Sequence, residues 1–81
     1  MGYQNMQIKE SKMLFRAGAY KSCDVAMAGA AHFGYQVIFN RNDGSTDSLE
    51  TKRGQLRMFR TLDAAASVID DIGFTSFTCY K

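Results

Sequence analysis

Cys23, Cys79 and the single histidine, His32, are the side chains of this 81-residue chain best suited to covalent or proton-transfer chemistry. An unperturbed imidazole titrates near neutrality, which makes His32 the natural candidate for a base. A hairpin bringing Cys23 within hydrogen-bond reach of His32 would create a thiolate nucleophile. The plainer reading is a surface turn histidine and a buried structural thiol, and it is preferred because free cysteine is among the most buried residue types. The cysteines form no C-x-x-C pair and have no zinc spacing with His32. They become neighbours only if the first and last strands pair, and in a reducing compartment both stay thiols.

Other chemistries find less support. Asp70-Asp71 is the only adjacent acidic pair, and it falls at the end of an expected helix, where the dipole disfavours negative charge. It reads as a solvated face, or as a contact for a basic partner. Neither phosphate-binding glycine spacing, G-x-x-x-x-G-K-[ST] or G-x-G-x-x-G, is present. The expectation is therefore a protein that is not an enzyme, with no catalytic residues, no metal site, no cofactor and no evident small-molecule substrate.

The segment Lys52-Arg53-Gly54-Gln55-Leu56-Arg57-Met58-Phe59-Arg60 carries four of the ten basic residues, interleaved with apolar ones. Lys and Arg neutralising phosphates are the main source of non-specific nucleic-acid affinity, so Lys52, Arg53, Arg57 and Arg60 are candidate nucleic-acid contacts. On a strand, Arg53 and Arg57 would share one face and Lys52 and Arg60 the other, unless a bulge at Gly54 re-aims them. An RNA-recognition sheet would also present stacking aromatics, and Arg53-Gly54 followed by Phe59 is too loose for that pattern. A double-stranded-RNA domain shares the expected order of elements but needs a lysine-rich start to its second helix. Here that start is Thr61-Leu62-Asp63. Charge guarding an edge strand against aggregation explains the same basic residues.

Glycines 18, 34, 44, 54 and 73 punctuate the elements that must position these groups. Gln4 to Ala17 reads as a helix with Met6, Met13, Leu14 and Ala17 near one face, stopped by Gly18. Tyr20 to Ala28 fits a strand, Cys23, Val25 and Met27 alternating with Ser22, Asp24 and Ala26. Its alanines also suit a helix capped by Ser22; the strand is favoured because it closes a hairpin around Ala30 to Gly34. Tyr35 to Arg41 is a clear strand, and Asn42-Asp43-Gly44-Ser45 a turn. Ser48 to Arg53 and Gln55 to Phe59 read as a return strand interrupted at Gly54, where a glycine marks a bulge or a tight bend. Thr61 caps a helix to Ile72 with Leu62, Ala65, Ala66, Ile69 and Ile72 on its apolar face. Phe74 to Tyr80 closes as a strand. The fold class expected is α+β: a single domain over residues 1–81, a two-layer sandwich of order α-β-β-β-α-β. Its sheet is mainly antiparallel, with both helices on one face.

The pattern Leu49-x-Thr51-x-Arg53-Gly54, then Arg57-x-Phe59-x-Thr61-Leu62-Asp63-Ala64-Ala65, then Ile72-Gly73-Phe74-x-x-Phe77 resembles small accessory proteins of broad-host-range plasmids, the ParC-like partition-associated proteins. It covers about the last 30 residues, and upstream only the Gly18-Ala19 and Tyr35–Phe39 segments fit. The resemblance implies a mobile-element origin and a binding role, and it carries no catalytic residues.

With 46% hydrophobic and 22% charged residues the chain has a globular rather than a disordered composition. A domain this small buries only roughly 60% of its unfolded surface, so a partner or a second copy would add stability. A net charge of +2 and a pI near 8.7 permit an acidic partner without demanding one. No apolar run approaches the roughly 20 residues of a membrane span, and the expected compartment is the cytoplasm. The leading functional expectation is a non-enzymatic accessory protein of a plasmid, phage or other mobile element, binding a protein partner or acting as a homodimer. The alternative is a nucleic-acid-binding accessory protein using Lys52–Arg60.

Overall fold

A computed structural model describes residues 7–27 and 34–80. Among these the elements follow the expected order: α1 Ile8–Arg16, β1 Tyr20–Met27, β2 Tyr35–Arg41, β3 Thr46–Ser48, α2 Leu62–Ile72 and β4 Thr78–Tyr80. Gln4 to Met6, Ala28 and most of the Ala30–Gly34 turn, with its His32, lie outside the described residues.

Helix α1 ends where glycine permits a left-handed turn. Gly18 adopts φ +78°, its N–H donates to Phe15 O, and the N–H of Ala19 donates to Leu14 O. That pair of bonds is the Schellman arrangement, which uses carbonyls the last turn would otherwise leave unpaired. The inward face differs from the expected one. Ser11 is fully buried and Ile8, Leu14 and Phe15 pack on the core, whereas Met13 is 62% exposed and Ala17 is also exposed. Both face solvent because the inward stripe runs through Ile8, Ser11, Leu14 and Phe15 instead.

The sheet order is β3-β2-β1-β4. β1 and β2 pair antiparallel, with Cys23 opposite Phe39 and Val25 opposite Val37, and an irregularity between Tyr20 and Ser22. β2 and β3 are also antiparallel, whereas β4 runs parallel to β1 with Val25 opposite Cys79. The result is a mixed sheet in which two of the three pairings are antiparallel. Tyr20 to Met27 is thus a strand, and the helical alternative for it is excluded. Period-2 alternation puts Cys23, Val25, Val37 and Phe39 on the inner face, each 1% exposed or less.

Helix α2 starts as the sequence implies. The Thr61 hydroxyl accepts from the Ala64 N–H at 3.1 Å, with Asp63 in the first turn. Its inner residues Ala65, Ile69 and Ile72 complete the core with Leu49, Phe59 and Phe74. Stacked rings run through it: Tyr20 to Phe39 at 4.9 Å, Phe39 to Phe74 at 5.9 Å, and Phe15 edge-on to Phe74 at 4.7 Å. Such contacts add about 0.5–1.5 kcal/mol each beyond buried area.

The return strand departs most from expectation. β3 spans only Thr46–Ser48; beyond it the Leu49 N–H still donates to Val37 O and Phe59 exchanges bonds with Tyr35, while residues 50–57 turn away from β2. The chain makes a small hairpin of its own, with Glu50 bridged to Leu56 and Phe59 bridged back to Tyr35. Thr51 organises its tip: Thr51 O accepts from Gly54 N–H at 2.9 Å, and its hydroxyl accepts from the N–H groups of Arg53 and Gln55. Gly54 takes φ +83°, so of the bulge or tight bend expected there the structure has the bend, drawn into a full reversal. The final strand is shorter than expected too, beginning at Thr78 rather than Phe74. Phe74 turns into the core instead.

Candidate partner-binding groove

The hairpin changes where the basic segment points. Lys52 and Arg53 stand exposed at its tip, and Arg60 is exposed just before the α2 cap. Arg57 lies partly buried on the returning limb, its N–H donating to Leu49 O at 2.9 Å. Its guanidinium sits 5.2 Å from the centre of the Phe59 ring, a cation–π contact that fixes the side chain. The shared faces expected for a continuous strand therefore do not form.

Instead the hairpin lies against the start of α1, enclosing a groove of about 450 Å³. Gln7, Ile8, Lys9 and Lys12 form one wall, and Glu50, Lys52 and Arg57 the other. The structure thus brings Lys52 and Arg57 together with Lys9 and Lys12 of α1, which are not among the residues the sequence singles out. Arg53 and Arg60 do not line the groove. Helical spacing could have placed Lys9 and Lys12 on one side of α1, but their meeting with Lys52 is a tertiary fact.

Among the described residues four cations and one carboxylate therefore line the cleft, with Ile8 beside them. Gln7 caps α1 without a side-chain hydrogen bond, so the positive end of the helix dipole opens near the same place. Lys12 also reaches Asp71 Oδ2 at 3.0 Å, tying α1 to the end of α2. That contact accounts for half of the Asp70-Asp71 pair; both side chains are exposed enough that the bridge contributes at most about 1 kcal/mol. The aliphatic stems of the lysines offer apolar walls beneath charged heads.

Cys23 is not poised as a nucleophile. Burial and the neighbouring Asp24 charge push the Cys23 thiol up from 9.0 to about 12, so at neutral pH it holds its proton. Cys23 and Cys79 are both free, one buried and one exposed, on the paired strands β1 and β4. Burial, then the Asp47 charge, also raise Tyr20 from 10.0 to about 12. A second cavity, about 370 Å³, lies between Tyr20–Cys23 and Gly73–Thr78, where β4 does not reach along β1. Among the described residues no three His, Cys, Asp or Glu side chains gather to hold a metal ion, and no helix is long and apolar enough to cross a membrane. No family model, no curated protein and no solved structure matches this chain.

Proposed function

We propose that the protein is a non-catalytic interaction module that docks an acidic segment of a protein partner in the groove between α1 and the 50–57 hairpin. The observation that carries this reading is the convergence of Lys9, Lys12, Lys52 and Arg57 around Ile8, with Glu50 the only carboxylate lining it among the described residues. Carboxylates of a bound segment would meet the cation heads, while its apolar side chains would lie along the lysine stems and Ile8. The resemblance of Leu49–Phe77 to plasmid accessory proteins accords with such a role in the cytoplasm of a cell carrying a mobile element.

A second reading, nucleic-acid binding, is favoured by Arg53 and Arg60, which stand exposed on the same segment. It is the weaker of the two because, among the described residues, no aromatic ring lines the groove for bases to stack on.

Calorimetric titration with a glutamate-rich peptide carrying leucines, and separately with duplex and single-stranded oligonucleotides, distinguishes them. The peptide should bind, and Lys52→Glu or Lys9→Glu should weaken it by about tenfold or more. Oligonucleotide binding that falls steeply with salt, with the peptide inert, would establish the second reading. Binding of neither at low salt would remove the groove as the working surface.

A further inference from the structure

Asn42-Asp43-Gly44-Ser45 joins β2 to β3, and Asp43 is the only Asp or Asn of the chain followed directly by glycine. With no side chain on residue 44, its backbone nitrogen is little obstructed in reaching the carboxyl carbon of residue 43 and closing a five-membered imide. Both residues are exposed, and nothing lies within 4 Å of where a Gly44 Cβ would stand, so there is room for that rearrangement. The other aspartates lie on the regular backbone of β1, β3 and α2, each followed by a residue with a side chain. The folded turn, however, engages the reacting groups elsewhere. The Ser45 N–H and hydroxyl both donate to Asp43 Oδ1, at 2.9 and 2.6 Å, and the Gly44 N–H donates to Arg41 O at 3.1 Å. The two Ser45 bonds also hold the Asp43 carboxyl below the usual carboxylate range. That disfavours the protonated form, whose hydroxyl is the leaving group.

We propose that Asp43–Gly44 is a latent site of backbone isomerisation, which Ser45 keeps closed while the chain is folded, so that the modification records time spent unfolded. In the reaction the Gly44 nitrogen gives up its proton and bonds to Asp43 Cγ, and the carboxyl hydroxyl leaves with that proton as water. Water then opens the imide at its other carbonyl, breaking the bond between the Gly44 nitrogen and the Asp43 backbone carbonyl carbon. The main chain now runs through Asp43 Cβ and Cγ, and the former backbone carbonyl becomes a free carboxyl group. The product has the starting composition and one more carbon in its main chain; no oxidant or cofactor is consumed. The β2–β3 connection has no slack for that carbon. The Arg41 N–H donates to Ser45 O at 2.8 Å, Asn40 stands opposite Thr46 and Phe39 opposite Asp47, and Arg41 holds Asp47 at 2.6 Å. An isomerised chain therefore loses the register of β3. No groove residue takes part, so the site stands or falls separately from the docking of an acidic segment.

The test is prolonged incubation of the full chain in warm neutral buffer, folded and in guanidinium chloride. Digestion with a protease that cleaves before aspartate but not before isoaspartate, read by chromatography and mass spectrometry, then locates the isomer. The denatured chain should convert at Asp43 ahead of every other aspartate, and Gly44→Ala should slow that conversion. The folded chain should convert at least about tenfold more slowly, since several hydrogen bonds must open first. Ser45→Ala, checked for native circular dichroism, should convert roughly threefold or more faster than wild type when folded, as loss of one hydrogen bond to the carboxylate implies. It should match wild type when denatured, and Ser45→Thr, which keeps the hydroxyl, should restore the slow folded rate. Folded and denatured chains converting alike would overturn the proposal. So would a denatured chain that stays unconverted or isomerises evenly at its aspartates, or a folded Ser45→Ala chain that converts at the wild-type rate.

Discussion

Replacing Gly73 by alanine should be among the most damaging small changes this chain can suffer. Gly73 closes α2 with φ +134°, a conformation that side chains rarely adopt. Holding a non-glycine residue in so sparsely populated a region costs about 1–3 kcal/mol. A Cβ there would also lie 2.5 Å from Phe15 Cε2 and 2.7 Å from Cδ2. The Phe15 ring cannot retreat freely, since it packs edge-on against Phe74. Overpacking of this kind costs another 1–3 kcal/mol or so. The sum, about 2–6 kcal/mol, is a large part of the roughly 4–12 kcal/mol expected for a domain of this length. Gly44 provides the control, because its φ of +92° imposes a similar backbone cost while no atom lies within 4 Å of a Cβ. Urea denaturation followed by circular dichroism should therefore rank Gly73→Ala well below Gly44→Ala. In a Phe15→Ala background the Gly73→Ala penalty should shrink by about 1–3 kcal/mol, the steric part alone. Equal costs for the two glycines, or a penalty unchanged without the Phe15 ring, would refute the reasoning.

Thr61→Ala should lower stability by about 1 kcal/mol through loss of the α2 cap, with Thr61→Asp retaining most of it; equal urea midpoints for all three would refute the cap. Phe39→Ala, at a fully buried site between Tyr20 and Phe74, should cost about 3–5 kcal/mol in the same assay, and a loss below about 1 kcal/mol would contradict the stacked core. Because the folded pKa values of Cys23 and Tyr20 both rise to about 12, the native state keeps protons that the unfolded chain releases. Stability is thus undiminished below about pH 9 and falls as pH rises toward 12, by up to about 4 kcal/mol for Cys23; urea midpoints that stay level or increase over that range would be the contrary result. A thiol reagent should label Cys79 promptly in the native protein and Cys23 only on unfolding, so equal rates in mass spectrometry would count against the burial assigned to Cys23.

What local pattern could show, and what it could not, divides cleanly along this chain. Tyr35–Arg41 matches its strand at both ends, because alternating Tyr35, Val37 and Phe39 leave no helical alternative. The second helix is equally legible, since Thr61, Asp63 and Gly73 mark its ends by backbone chemistry that needs no tertiary context. The first helix was legible as a helix but not in its orientation. Met13 looked like core, yet the polar Ser11 is what faces inward. The basic segment defeated the reading for a different reason. Leu49, Leu56, Met58 and Phe59 do not alternate, and a single glycine with positive φ turned an expected strand into a hairpin. The groove then arises between parts of the chain with no local relation, which is why the meeting of Lys52 and Arg57 with Lys9 and Lys12 cannot be read from local pattern.

The pairing of β1 with β4 has a consequence for how the chain reaches this state. Asp24, Val25 and Ala26 belong to the first strand made, yet their partners on one side are Thr78, Cys79 and Tyr80. During synthesis the β1–β2 hairpin can assemble early, but its outer flank stays bare until residues 78–80 have left the ribosome. Contacts spanning so much of a sequence are slow to close and leave a nascent strand open to mispairing meanwhile. A stalled or clipped product lacking those residues would therefore present β1 itself as a sticky margin, and the cell would meet it as a substrate for chaperones rather than as a smaller working protein.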